Sequence, residues 1–159
     1  MSSILPILKE PNPLLREKTA EVKETQFGSA GLLELVKSMK ETMKAAQGVG
    51  LAANQVGQDL RLFVAEVEGK FYVVANPRIT KTSAKTVPME EGCLSLPGVW
   101  GVVERPENAE VEGRNQFGKK IKIKARGLLA RIFQHEIDHL DGILFIDKAE
   151  QLFKPENSL

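Results

Sequence analysis

The 159-residue chain holds one cysteine (Cys93), one tryptophan (Trp100), one tyrosine and two histidines. A lone thiol cannot form an internal disulfide, so a disulfide-stapled framework is excluded and a reducing, cytoplasmic setting is expected. Charge of either sign is not in excess, with 22 Lys and Arg against 21 Asp and Glu. That balance lacks the footprint of a dedicated nucleic-acid binder, and no direct nucleic-acid partner is expected. The apolar runs fall far short of the ~20 residues that cross a bilayer. The opening residues have no basic stretch leading into an apolar one, so neither a membrane segment nor a signal peptide is expected. Repeats, low-complexity tracts and Gly/Ser linkers are missing too. What is present, 42 % apolar and 27 % charged residues, is a globular composition. The length suits one domain spanning 1–159, with a short tail from about 148.

Residues 29–46 read as an amphipathic helix, with Leu32, Val36, Met39 and Met43 on one face and Ser29 as N-cap. Arg61–Val67 and Lys70–Asn76 are rich in Val, Phe and Tyr and flank Glu68-Gly69, a hairpin pattern. A strand is expected near Val102–Val103, and a pair over Ala109–Glu112 and Lys119–Ala125. In the last of these Ile121 and Ile123 alternate with Lys120, Lys122 and Lys124, an amphipathic strand whose lysine face is solvated rather than a basic binding patch. Gly127 to Asp141 reads as a second helix, stopped by Gly142. Two helices with antiparallel-looking strands between them indicate an α+β fold.

Both histidines lie in Gln134-His135-Glu136-Ile137-Asp138-His139. A spacing of four puts the imidazoles one helical turn apart on one side, where they can share a metal ion. On a helical wheel His135 and His139 fall with Leu128 and Ile132, beside the apolar arc of Leu129, Phe133, Ile137 and Leu140. Arg131, Gln134 and Asp138 take the remaining polar arc. A catalytic site needs a third protein ligand and an open position. The position a third downstream histidine would take is Phe145, and a distant glutamate ligand has only Glu150 or Glu156 to draw on. Upstream, Cys93 sits in a presumed loop between Gly92 and the Pro97-Gly98 turn. One thiolate with two imidazoles suits zinc, ferrous iron, nickel or cobalt.

Gly48-Val49-Gly50-Leu51-Ala52-Ala53-Asn54-Gln55, Glu91-Gly92-Cys93-Leu94-Ser95 and the histidine hexapeptide together resemble, in order, the three signature motifs of peptide deformylases. The opening Leu5-Pro6-Ile7-Leu8 and Pro11–Arg16 are similar to that family's N-terminal stretch, and the likeness runs to about Asp147. It implies antiparallel sheets packed around the central HExxH-bearing helix, with a further N-terminal helix. It also implies removal of the formyl group from N-terminal formyl-methionine of new polypeptides, releasing formate. The cofactor implied is one divalent ion, Fe2+ physiologically, with Zn2+, Ni2+ or Co2+ as substitutes.

Carried over by position, Cys93, His135 and His139 hold the ion and leave a place for the attacking water. Glu136 serves as general base and acid. Gln55 and the Leu94 backbone N–H meet the oxyanion. Gly50 lets the peptide pair alongside as an added strand, and Val49, Leu128 and Ile132 line the methionine pocket. Glu91 and Arg105 are expected to pair and steady the Cys93 segment. Without the resemblance, Gln55 reads as a turn cap. Trp100 is left with two readings, covering the cleft or packing on the sheet. The partners implied are formyl-methionyl nascent peptides met near the ribosome by a monomer. The rival readings are a zinc endopeptidase and a protein whose metal only staples the fold. The departure from the family is the short tail, Lys148–Leu159, where many bacterial members continue into a long helix.

Overall fold

The first helix forms where its apolar face demands it. In the computed structural model, which describes residues 3–154, α1 spans Ala30–Ala45, and the Ser29 hydroxyl accepts from the Leu32 N–H at its start. After it come β1 (Gly50–Ala52), β2 (Leu62–Val67) and β3 (Lys70–Thr82). Glu68 and Gly69, both at positive φ (52° and 79°), make the two-residue turn between β2 and β3. That geometry matches the right-handed twist of the flanking strands. With β6 (Asn108–Arg114) and β7 (Lys120–Arg126) they form an antiparallel sheet in the order β1-β2-β3-β6-β7.

Alternation along β2 explains the layering. Leu62 and Val64 join the cluster under α1, built on Val36, Met39 and Met43. Phe63 and Ala65 join the opposite cluster, against Phe133, Ile137 and Leu140 of α2 (Gly127–Leu140). A strand covered on both faces reads as a continuous apolar run, as Leu62–Ala65 does. Phe133 sits at the hub, edge-on to Phe63 and Tyr72 at 5.2 and 5.4 Å between ring centres. The Lys120, Lys122 and Lys124 side of β7 is solvent-exposed, with Lys124 against Glu110.

A second antiparallel sheet, β4 (Thr86–Cys93), β5 (Leu96–Pro106) and β8 (Gln151–Phe153), covers the remaining side of α2. It corrects two expectations. Cys93 ends a strand rather than lying in a loop. The segment after Asp147 returns as β8 along Trp100–Val102, while Glu156 lies outside the described residues. The polar arc of α2 is covered as well: Arg131 and Gln134 are buried, and Asp138 is mostly so. Arg131 donates to the Val87 and Val103 carbonyls, and Gln134 to that of Pro106. The helix is thus enclosed between two sheets, polar arc included.

Candidate active site

Two elements deliver the three metal-type side chains. Strand β4 ends at Cys93, and α2 carries His135 and His139 one turn apart. Their ligand atoms all fall within 4.8 Å of one another. Cys93 Sγ is 3.2 Å from His139 Nε2, and it also faces the Ser95 N–H at 3.4 Å and the Gln55 amide at 3.6 Å. The Asn54 amide donates to the His139 carbonyl at 2.7 Å, tying the end of α2 to the turn after β1.

The imidazoles differ because their neighbours differ. Burial opposes charge on both. At His135 the hydrogen bonds to Cys93 and Glu91 overturn that and push the pKa well above its usual value. At His139 burial, reinforced by the positive charge at His135, pushes it well below, so the ring is neutral and keeps a lone pair. His135 Nδ1 lies 2.8 Å from a Glu91 oxygen, which places its proton there and turns Nε2 inward. The Cys93 sulfur, the neutral His139 ring and His135, whose inward Nε2 would bind an ion in place of its proton, form a donor set, backed by the Glu91 carboxylate, that fits one divalent ion.

Glu91 is more than the partner of Arg105. Its two oxygens take hydrogen bonds from Arg105 at 2.6 and 3.0 Å and from Arg131 at 2.6 Å, besides His135. Burial alone would raise its carboxyl, but the bonds from His135 and Arg105 outweigh that and lower it to about 2. Arg105 continues to Asp138 at 2.9 Å, and Lys148 closes the chain of charges. Sequence reasoning found the Glu91–Arg105 pair but missed Arg131, Asn54 and Ser95. The signal for Arg131 was there, an arginine on the one helix that carries the histidines.

Glu136 is 4 % exposed, and its Oε1 has no hydrogen-bond partner among the described residues. Burial pushes its carboxyl up to about 7. Gly50 makes the space for it, since a Cβ there would stand 2.5 Å from Glu136 Oε2. The glycine is therefore set by the carboxylate beneath it, whatever pairs above. Gln55 satisfies both of its sequence readings. Its oxygen accepts from the Ala52 N–H at 2.9 Å, a turn cap, while its nitrogen points to Ser95 Oγ and the Cys93 sulfur.

These groups open into a cleft of about 530 Å³, where Val49, Gly50, Leu94, Leu128, Ile132 and Trp100 also meet. Leu128, expected to face inward with the histidines, is half exposed at the cleft mouth, as is Val49, whereas Ile132 is buried. A larger cleft of about 830 Å³ lies near Lys18, Arg61 and Lys120, away from this chemistry.

Cys93, His135 and Glu136 line the cleft with His139 buried behind them, and a thiol, two imidazoles and a buried carboxylate are the groups a metal-dependent hydrolase uses. The polypeptide deformylase family profile matches residues 4–154. A peptide deformylase of Halothermothrix orenii is 48% identical over 151 residues, 94% of this chain and 96% of that one. The crystal structure of peptide deformylase from Thermotoga maritima superposes with a TM-score of 0.89 at 36% identity, over 93% of this chain and 99% of that one. A Met-Ala-Ser-bound class I type b peptide deformylase from Acinetobacter baumannii gives 0.89 at 35% identity, over 93% and 99%. The chain belongs to the polypeptide deformylase family, metal-dependent enzymes that remove N-formyl groups from new peptides.

Proposed function

We propose that this chain hydrolyses the formamide of N-formyl-methionyl peptides, with Cys93, His135 and His139 holding one divalent ion and Glu136 moving the proton. The observation that carries the reading is the unpaired Glu136 carboxylate buried beside the Cys93/His135/His139 cluster. Once bound, the ion supplies positive charge that acidifies water and polarises the formyl carbonyl. Fe2+ is the physiological choice, with Zn2+, Ni2+ or Co2+ as substitutes.

Glu136 takes a proton from water as its oxygen bonds to the formyl carbon. It then delivers that proton to the amine nitrogen as the C–N bond breaks, leaving a free N-terminus and formic acid, which gives up its remaining proton to solvent as formate. The growing negative charge on the formyl oxygen is met by the Leu94 N–H and by the Gln55 amide proton that otherwise faces the Cys93 sulfur, while Ser95 holds the other. Val49, Leu128 and Ile132 receive the methionine side chain. Beside Gly50 the peptide main chain lies extended, as an added strand. Met-Ala-Ser, bound in the Acinetobacter baumannii enzyme, is what formyl-Met-Ala-Ser becomes when its formyl group leaves. The chain works as a single-domain monomer in the cytoplasm, near the ribosome where formylated ends emerge.

The test is formate release from formyl-Met-Ala-Ser by protein loaded anaerobically with ferrous or nickel ion. Turnover is expected. Metal-replete protein that releases no formate would overturn the reading, and cleavage of internal peptide bonds instead would make it an endopeptidase.

A further inference from the structure

Trp100 is the only tryptophan of the chain, and the deformylation chemistry above gives it nothing to do. It stands on β5 directly across from Gly92 of β4, one residue before Cys93. A Cβ on Gly92 would meet three indole carbons, Cζ3, Cε3 and Cη2, at 2.9 to 3.0 Å. The six-membered ring therefore lies on bare backbone beside the metal-type cysteine. Gly92 and Trp100 both line the cleft, and the indole is 39 % exposed. On its other side β5 is braced by β8, with Trp100 opposite Phe153. A rigid aromatic surface, half seated and half open, is poised to take another apolar group.

Its position relative to the chemistry fixes which group. Among the described residues β1 pairs only with β2, and β4 only with β5, and Gly50 of β1 and Met89 to Cys93 of β4 line the cleft beside these unpaired edges. An extended peptide held at either edge advances roughly 3.4 Å per residue. With the formyl group at Cys93 and the methionine side chain toward Leu128 and Ile132, the residues that follow pass the Gly92–Trp100 rim.

We infer that Trp100 is a specificity-determining residue for the side chains after the methionine. Its indole packs against an apolar or aromatic side chain at the second or third position of the peptide and so favours such chains over small or acidic ones. The inference rests on the deformylase reading. Gly92 is the seat of that surface, and a methyl group there unseats the ring.

Two peptide series test it, formyl-Met-X-Ser and formyl-Met-Ala-X, with X as Ala, Leu, Phe or Asp. In the metal-loaded wild type, kcat/KM for X as Phe or Leu is expected to exceed that for Ala about five- to tenfold in at least one series, the size of an aromatic contact. Trp100→Ala should slow the Phe peptide several-fold more than the Ala peptide, Trp100→Phe should restore part of the difference, and Gly92→Ala should mimic the loss. A second readout does not need turnover: emission of the single indole should shift and saturate on titration with Met-Phe-Ser. Turnover with the same X-dependence in wild type and Trp100→Ala, or emission unmoved by bound peptide, overturns the role of Trp100 and leaves the activity standing. Absence of turnover on every formyl peptide overturns both.

Discussion

Glu136 is buried and half unsatisfied, a combination that folding alone does not favour, because an unpaired buried oxygen lowers stability. Glu136→Gln keeps the shape, removes the base, and should lower kcat about 10²- to 10⁴-fold while elemental analysis finds the metal retained. Glu91 predicts a different pattern. Its removal leaves Arg105 and Arg131 buried without their shared carboxylate, so Glu91→Gln should destabilise the fold by about 3–5 kcal/mol in urea titration. It should also weaken metal binding about 10- to 100-fold in chelator competition, because His135 loses its orienting partner. The candidate ligands were legible because the chain offers so little choice: one thiol and two imidazoles a turn apart. Asn54, Ser95 and Arg131 were not, because their roles depend on partners 85, 40 and 40 residues away.

Both helices could be read in advance, since a single apolar face and a capping residue carry that information locally. Strand β4 could not. Thr86–Cys93 contains a proline, two adjacent glutamates and a glycine, and Glu91 suits a buried strand only because arginines from β5 and α2 come to meet it. The enclosed polar arc of α2 was hidden for the same reason, since a helical wheel cannot see the second sheet. Strand β8 has only Leu152 and Phe153 as apolar signal. Within β1, Gly50→Ala should push the Glu136 carboxylate aside, lowering kcat at least tenfold, with the loss read by formate release and the melting temperature as its control. The turn leading to β8 is tied by Arg16 to Asp147. Burial alone would raise the Asp147 carboxyl, but the Arg16 hydrogen bond and charge hold it below 3.8. The pair thus stabilises fully above that pH and fades as pH falls through the lower folded value. The melting-temperature gap between wild type and Asp147→Asn should accordingly shrink from pH 7 to pH 3 in calorimetry.

Across the whole molecule, Cys93 comes from the three-stranded sheet, while His135 and His139 sit on the helix that backs the five-stranded one. An ion held by all three therefore ties the two sheets together. At a thousand times its Kd it adds about 4 kcal/mol to stability, so chelation should lower the melting temperature by roughly 10 °C. Scanning fluorimetry with and without chelator reads that shift, and reloading with nickel should reverse it. A melting temperature indifferent to the metal would mean that the sheets are held by the Glu91–Arg105–Arg131 charges and the Phe133 core alone.

Among the described residues β1 and β4 each keep one edge unpaired, and residues of both strands line the cleft. Such an edge pairs with an extended strand and not with a helix, whose backbone N–H and C=O groups are already bonded to one another. Timing follows from that demand. The formylated end has to reach the cleft while it is still slack, before it coils or docks into a fold of its own. A chain whose first residues bury themselves early would keep its formyl group for good.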